Sequence, residues 1–187
     1  MCIRDSPYND PDNSFATMAK AHNWVQYTLD LPMGNEPGNV FNYNSGATLI
    51  LGHIFRLATG TDIEEYAVEH LFTPLGIDDY YWDRTPYGLT DTQEGLYISA
   101  RSLAKIAQLF LQKGRWQNEQ VIPAAWVEES TAPLYPTGKS DDEAYGYLWW
   151  SQPYTFKGKT VRAHFGKGFG GQRPIFLPDL NLSLIHI

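Results

Sequence analysis

The sequence is poor in cysteine, with Cys2 as the single example, which excludes an internal disulfide and leaves thiol catalysis with one weak candidate. It also lacks a basic excess: 14 lysines and arginines face 21 aspartates and glutamates, and the formal net charge is −7. Neither nucleic acid nor an anionic membrane is therefore indicated as a partner. No apolar run approaches the roughly 18 residues of a membrane-spanning helix, so no membrane segment is predicted.

Internal repeats and low-complexity runs are absent as well, which excludes a repeat array. The histidines His22, His53 and His70 stand far apart, at no metal-ligand spacing, so we expect no metal site and no cofactor. What the sequence does have is 43% hydrophobic and 14% aromatic content in 187 residues. That is enough for one globular domain with a sizeable core.

Both ends of the chain look like translated sequencing-adapter read-through rather than native protein, over residues 1–6 and 183–187. We therefore expect residues 7–182 to carry the domain, with Cys2 and His186 removed from the candidate functional residues. Met1 then need not be a true start, and the lack of a signal peptide says nothing about the compartment.

Helical periodicity dominates the first part of the chain. Helices are predicted over residues 14–29, 47–58, 61–72, 99–113 and 123–130. Ser45 can serve as the N-cap of the second helix, which ends against Gly60. The third begins with a capping-box pattern, Thr61 followed by Glu64, and should stop before Pro74.

The second part of the chain has the pattern of strands. They are predicted over residues 145–152, 160–164 and 172–177, between glycine-rich turns. Residues 78–93 form a long connection without a clear period. Because a helical block precedes a block of strands, the sequence predicts an α+β fold rather than an alternating α/β fold.

One stretch stands out, Pro37 to Gly46, which leads directly into an apolar helix. It places Tyr43 on a turn at the start of that helix, two residues ahead of the small polar side chain of Ser45. Such a tyrosine can aim its phenol oxygen into a cleft. It can equally bury its ring against the helix and satisfy its hydroxyl with a hydrogen bond.

Several motifs in a fixed order resemble serine hydrolases related to class C β-lactamases and penicillin-binding proteins. They are Pro37-Gly38, Phe41-x-Tyr43-x-Ser45-Gly46, Leu51-Gly52-His53-Ile54, Pro74-Leu75-Gly76-Ile77, Gly95-Leu96-Tyr97, Gly114-Arg115-Trp116, Tyr145-Gly146-Tyr147 and Gly168-Phe169-Gly170-Gly171-Gln172. No single motif is decisive, but their collinearity over nearly the whole chain is a strong signal. The resemblance implies a β-lactamase/transpeptidase-like fold, of which residues 7–182 would be the C-terminal portion.

The resemblance also implies a chemistry. In that family a serine and a lysine one helical turn later open a helix, and a tyrosine on a loop assists proton transfer. Tyr43 is the implied catalytic tyrosine; because a phenol has a pKa near 10, it acts as a base only beside cations. The Ser-x-x-Lys pair should lie upstream of this chain, which we expect to be inactive alone. The intact protein would cleave a small-molecule ester or amide through an acyl-serine, in a periplasmic or secreted location.

A glycine-rich strand is the implied third element of the site. His164, Gly166 and Gly168 occupy this region, where His164 or Lys167 could supply a cation and a backbone N–H could face the oxyanion. The alternative is a hairpin with glycine turns and a surface histidine. The family often has asparagine where Ser45 stands, and Lys-Thr-Gly is missing. Both departures favour a broad esterase or amidase over a β-lactamase or D-Ala-D-Ala carboxypeptidase.

Other interpretations stay open. Ser102 and Lys105 match Ser-x-x-Lys, although capping and helix propensity explain both residues without chemistry. The parent could be a noncatalytic binding or sensor protein of the same fold. Trp149-Trp150 most simply form a buried strand, and a carbohydrate-binding module would need a row of exposed tryptophans. The acidic run 141–143 is interpreted as solvated surface.

Overall fold

The computed structural model describes residues 14–140 and 142–186, and the chain divides into two units. The first unit comprises residues up to Glu69 together with Tyr80–Tyr97. The second comprises His70–Asp79 and the chain from Ile98 onward. Cys2 and the rest of residues 1–6 lie outside the described residues.

The first unit is mainly helical. Its helices are α1 (Ser14–Met18), α2 (Trp24–Asp30), α3 (Ser45–Thr59) and α4 (Ile63–Ala67), and its strands are β1 (Tyr80–Trp82) and β2 (Leu96–Ile98). The single helix predicted over residues 14–29 is wrong, because the helix is interrupted after Met18 and resumes only after Asn23. That side chain accepts the Gln26 N–H at 3.1 Å and so begins a new helix. The predicted terminator Gly60 is confirmed, with a left-handed φ of 75°.

Two further boundaries differ from prediction. Asp62, not Thr61, caps α4 by accepting the Glu64 N–H at 3.1 Å. Pro74 does not stop the helical path: a π-helical turn, Val68–Phe72, leads into the short helix α5 (Thr73–Leu75). Proline is tolerated there because the first turn of a helix leaves its N–H groups unpaired anyway.

The second unit contains the sheet. Its helices are α6 (Ala100–Leu111) and α7 (Ala124–Thr131), and its strands are β3 (Arg115–Trp116), β4 (Glu119–Gln120), β5 (Tyr135–Pro136), β6 (Ala144–Tyr145), β7 (Trp150–Phe156), β8 (Lys159–Phe165), β9 (Arg173–Leu177) and β10 (Leu182–His186). Six strands pair in the order β10-β9-β8-β7-β6-β5, every pair antiparallel. The predicted α+β class is confirmed.

Strand alternation assigns each side chain of β8 to a face. His164 pairs with Phe176 of β9, and Phe165 pairs with Trp150 of β7, so His164 and Phe165 lie on opposite faces. The ring of Phe110 on α6 lies 6.0 Å from that of Phe176, which shows that α6 covers the His164 face.

The predicted strand over residues 145–152 is split into β6 and β7 by a turn. The Gly146 N–H donates to the Trp149 carbonyl at 2.8 Å. A Cβ on Gly146 would lie 2.4 Å from the carbonyl oxygen of Ser130, so only glycine brings the turn this close to α7.

The last described residues form the edge strand β10. It pairs with β9 from Leu182↔Leu177 to His186↔Arg173, and Ser183 Oγ donates to Gln108 Oε1 at 2.9 Å. Residues that the sequence suggested setting aside thus have a place in the sheet. Their adapter origin stays a prediction.

The core of the first unit determines how α3 begins. Met18, Val25 and Leu49 are buried together where α1, α2 and α3 meet. A Cβ on Gly46 would lie 2.5 Å from Thr28 Cγ2, so the two helices touch at the residue that follows Ser45. Thr28 is 1% exposed, and its hydroxyl donates to the Trp24 carbonyl at 2.8 Å.

We predict that Gly46→Ala destabilises the chain by about 1–3 kcal/mol, although alanine has the better helix propensity, because Thr28 has no room to retreat. The measurement is urea unfolding in a double-mutant cycle with Thr28→Ala, which removes the two atoms that the new methyl group would meet most closely. The penalty of Gly46→Ala should shrink in that background. An equal penalty in both backgrounds would contradict the packing explanation.

Candidate active site

Tyr43 lies immediately before the N-cap of α3. The cap is Asn44, whose Oδ1 accepts the Ala47 N–H at 3.0 Å, and not Ser45 as predicted. Asparagine and serine are both good caps, and the extended backbone of Asn44 decides between them. Tyr43 is half-buried, so its ring is partly covered while part of it reaches the surface.

Ser45 is the first residue of α3, and its carbonyl accepts the Thr48 hydroxyl at 2.7 Å. Because Asn44 provides the cap, capping no longer explains why a hydroxyl stands at position 45. A second residue, Thr92, also packs against the start of α3. Thr92 Oγ1 donates to the Thr48 carbonyl at 2.7 Å, and a Cβ on Gly52 would lie 2.6 Å from Thr92 Cγ2.

The glycine-rich segment continues the β8–β9 ladder beyond the strands. The Gly166 N–H donates to the Pro174 carbonyl at 3.0 Å, and the Gly168 N–H donates to the Gln172 carbonyl at 2.8 Å. The N–H groups of both glycines predicted for the oxyanion region are therefore engaged inside the hairpin. The N–H of Lys167, between them, donates to no acceptor within residues 14–140 and 142–186.

His164 lies against the core. Its ring stacks on Phe176 at 5.0 Å between centroids and 19° between planes. Burial, followed by the charge of Arg162, holds the pKa of His164 below its usual value, while the Thr131 carbonyl and Asp179 oppose this shift. The lowered pKa disfavours the cation predicted for this position, and the ring is half-buried against Phe176 rather than fully at the surface.

The Lys167 side chain forms an ion pair with a buried carboxylate. Its Nζ lies 2.6 Å from Glu143 Oε2 and 3.8 Å from the centroid of the Trp150 ring. Burial alone would raise the pKa of Glu143, but hydrogen bonds from Lys167 and Thr137 and the charge of Lys167 outweigh it and lower that pKa. The interpretation of run 141–143 as solvated surface is wrong at Glu143, which is 6% exposed.

The Ser102 and Lys105 match to Ser-x-x-Lys has a structural explanation. Ser102 is buried at the start of α6, where its N–H donates to the capping Ser99 Oγ at 3.1 Å. The Lys105 amine donates to the Gly76 carbonyl instead. Both side chains thus help to hold α6 in place.

The candidate residues fall in both units. Tyr43 and Ser45 belong to the first unit, and His164, Gly166 and Gly168 belong to the second. Sequence reasoning missed two residues, Asn44 and Glu143. The capping role of Asn44 could have been considered from the sequence, because an Asx residue directly precedes the predicted helix. Glu143 carried no such signal, because an acidic run resembles surface.

Two broader searches complete the description. Within the described residues, no three His, Cys, Asp or Glu side chains gather as metal ligands would, and no helix combines the length and apolar character needed to cross a bilayer. The six tryptophans, all within the described residues, form no exposed row: Trp126 alone is exposed, at 46%, whereas Trp150 is 5% exposed, Trp149 packs 4.6 Å from the Phe110 ring, and Trp82 Nε1 donates to the Asp91 carbonyl. The carbohydrate-binding alternative therefore loses its support.

One family model and several solved structures match this chain. The family model described as Beta-lactamase matches residues 5–186. No curated protein is significantly similar to the chain. Among solved structures, a Bacillus anthracis protein whose name proposes a 6-aminohexanoate-dimer hydrolase is 23% identical, with a TM-score of 0.83; the match covers 100% of this chain and 52% of that one.

Two other solved structures are similar at lower identity. A penicillin-binding protein from Bacillus halodurans is 17% identical with a TM-score of 0.71, over 98% of this chain and 64% of that one. An octameric penicillin-binding protein homologue from Pyrococcus abyssi is 21% identical with a TM-score of 0.68, over 92% and 46%. These likenesses establish the β-lactamase/transpeptidase-like fold. The chain spans less than two thirds of the length of each.

The neutral state of His164 predicts a pH dependence of stability. In the unfolded chain His164 takes up a proton near its ordinary pKa of 6.5, whereas in the folded chain it does so only at a lower pH. The stability that neutral His164 gives the folded chain is therefore fully present above about pH 6.5, and it is lost as the pH falls toward the pKa of the folded state. Urea unfolding at about pH 7.5 and about pH 5.5 should show a loss that His164→Gln reduces.

The matched control is His70→Gln, since His70 is an exposed histidine of the same unit. It should keep the pH dependence of the unaltered chain. An identical loss in His164→Gln would show that other groups cause the effect.

Proposed function

We propose, because the chain belongs to the beta-lactamase family, that the protein it forms part of is a serine hydrolase that cleaves an ester or amide bond through an acyl-serine intermediate. The observation that carries the proposal is the placement of Tyr43. It stands directly before a capped, 15-residue helix that is packed on two sides. The nucleophilic serine and its lysine would come from an upstream Ser-x-x-Lys segment.

Tyr43 would move the proton between the serine, its lysine and the leaving group. For this task its phenol must lose a proton far more readily than free tyrosine does. The N-terminus of α3 contributes, since its unpaired N–H groups carry partial positive charge that favours an anion nearby. The ammonium group of the upstream lysine would add the larger effect.

The backbone N–H of Lys167 would donate to the oxyanion. Gly166 and Gly168 donate across the hairpin, so Lys167 has the N–H of this segment that is left for a ligand. A backbone donor of this kind stabilises negative charge as it develops on the substrate oxygen. The flanking glycines would let a substrate approach the main chain closely.

The substrate class follows from the charges around β8. The imidazole of His164 is neutral, and the ammonium of Lys167 is engaged by Glu143. Neither group is set to hold the carboxylate of a β-lactam. We therefore favour a small ester or amide over a β-lactam or D-Ala-D-Ala peptide. The 6-aminohexanoate-dimer hydrolase named for the Bacillus anthracis structure supports the amide part of this choice, since two amino acids are joined by an amide bond.

A second candidate is a noncatalytic sensor of the same fold. Tyr43 distinguishes the two functions, because only a hydrolase needs its proton transfer. In the intact protein we expect Tyr43→Phe to lower kcat by about 10²–10⁴-fold with a small change in KM, since proton transfer acts on the transition state. The assay follows p-nitrophenyl acetate hydrolysis and traps the acyl-enzyme by mass spectrometry.

Tyr87→Phe is the matched control, because it removes a hydroxyl from an exposed tyrosine of the same unit. It should leave kcat unchanged, and residues 1–187 alone should show no turnover. Full activity in Tyr43→Phe would remove the proposed role. Stoichiometric ligand binding without any turnover in the intact protein would favour the sensor.

Substrate preference gives a separate prediction. The intact enzyme should hydrolyse p-nitrophenyl acetate with a kcat/KM at least about tenfold above that for nitrocefin, because a charged group that meets no partner loses about 1.4 kcal/mol or more of binding. Steady-state kinetics with both substrates measure the ratio. A preference for nitrocefin would assign the protein to the β-lactamases instead.

A further inference from the structure

The β8–β9 hairpin leaves the Lys167 N–H turned away from its hydrogen-bonded side. Gly166 and Gly168 both donate toward β9, to Pro174 and Gln172. Alternate residues of an extended strand direct their N–H groups to opposite sides. The Lys167 N–H therefore points away from β9.

The backbone by itself holds that direction weakly. Lys167 lies between two glycines in a segment beyond the end of β8, and Gly168 is exposed. Glycine has the widest choice of backbone conformations, so a flanked residue can rotate. A useful donor needs a fixed direction, which must come from the Lys167 side chain.

That side chain is held at its far end. Its Nζ makes a 2.6 Å ion pair with Glu143 and lies over two rings, 3.8 Å from the centroid of Trp150 and 5.5 Å from that of Phe165. The Lys167 side chain is 30% exposed, and the Glu143 side chain is 6% exposed. Cation–π contact and charge pairing act together on one ammonium group.

The anchor itself is fixed. Thr137 Oγ1 donates to Glu143 Oε1 at 2.9 Å, and the Thr137 N–H donates to the Glu143 carbonyl at 3.0 Å. The Glu143 N–H donates to the Ser140 carbonyl at 3.2 Å. Trp150 is 5% exposed and paired with Phe165 across the β7–β8 ladder. The carboxylate and the ring that hold the Lys167 ammonium therefore both belong to well-packed structure.

We propose that Glu143 is a positioning residue, which holds the Lys167 side chain and thereby directs the Lys167 backbone N–H at the substrate oxyanion. This role rests on the proposed hydrolase function. Charge pairing with a lysine side chain that is 30% exposed adds only modestly to stability. The direction of a donor, in contrast, depends on just such a fixed contact.

The first test uses the present chain and needs no turnover. In Glu143→Gln we expect the ¹H–¹⁵N amide signal of Lys167 to shift and the amides of Gly166 and Gly168 to exchange with solvent at least about tenfold faster. The amide of Ala163, inside β8, should keep its exchange rate. Lys159→Met is the control, since it removes an exposed lysine from β8, the strand that leads into this segment.

The second test uses the intact protein. Glu143→Gln and the double variant Glu143→Gln/Lys167→Met should each lower kcat by about tenfold, with KM within about twofold, because loss of a whole oxyanion donor costs about 10²–10³. The two variants should have equal kcat, since each breaks the same contact. Glu119→Gln, at an exposed glutamate of β4, should keep full activity.

Two results would overturn the proposal. One is an unmoved Lys167 amide with unchanged glycine exchange in folded Glu143→Gln. The other is full kcat in the double variant, which removes both buried charges together and so avoids leaving one unpaired. The activity of Tyr43→Phe decides the hydrolase function separately. If that function fails, the amide measurements still decide whether Glu143 directs Lys167.

Discussion

Two backbone hydrogen bonds determine which N–H group of the glycine-rich segment in the second unit stays available for a ligand. The donations from Gly166 to Pro174 and from Gly168 to Gln172 use the N–H groups that point toward β9. They leave the intervening Lys167 N–H on the opposite side. The same alternation directs His164 into the core against Phe176. The segment therefore presents a backbone dipole, and its cationic side chain is neutralised.

The first unit positions Tyr43 by different means. No ladder supports this residue, so its geometry depends on how α3 begins. Asn44 caps the helix, Gly46 touches Thr28, and Thr92 binds the first turn from the other side. Each contact acts within five residues of Tyr43, and each uses a buried or half-buried partner. The start of α3 therefore fixes the backbone that carries Tyr43.

The sequence predicted the fold better than the contacts. Collinear motifs and a helical block before strands were enough for the α+β class, and Ser99 was found to cap α6 near the expected start. An Asx residue before the helix marks Asn44 as a possible cap, but the choice between Asn44 and Ser45 could not be made from the sequence, because both residues cap well and only the backbone angles decide. The state of Lys167 was out of reach too. It depends on Glu143, 24 residues away, in a run that charge alone assigns to the surface.

The neutralised lysine bears on how such a strand could aid catalysis. A free ammonium group binds a substrate carboxylate equally in the ground state and in the transition state, which lowers KM without raising kcat. A fixed N–H instead gains strength as charge develops on the reacting oxygen, and it requires no reorganisation at that moment. Under the proposed function, with Glu143 paired to Lys167, the site would attract a charged substrate only weakly and the backbone donor would remain. Such a site would suit substrates that are recognised by the bond that breaks more than by a charge they carry.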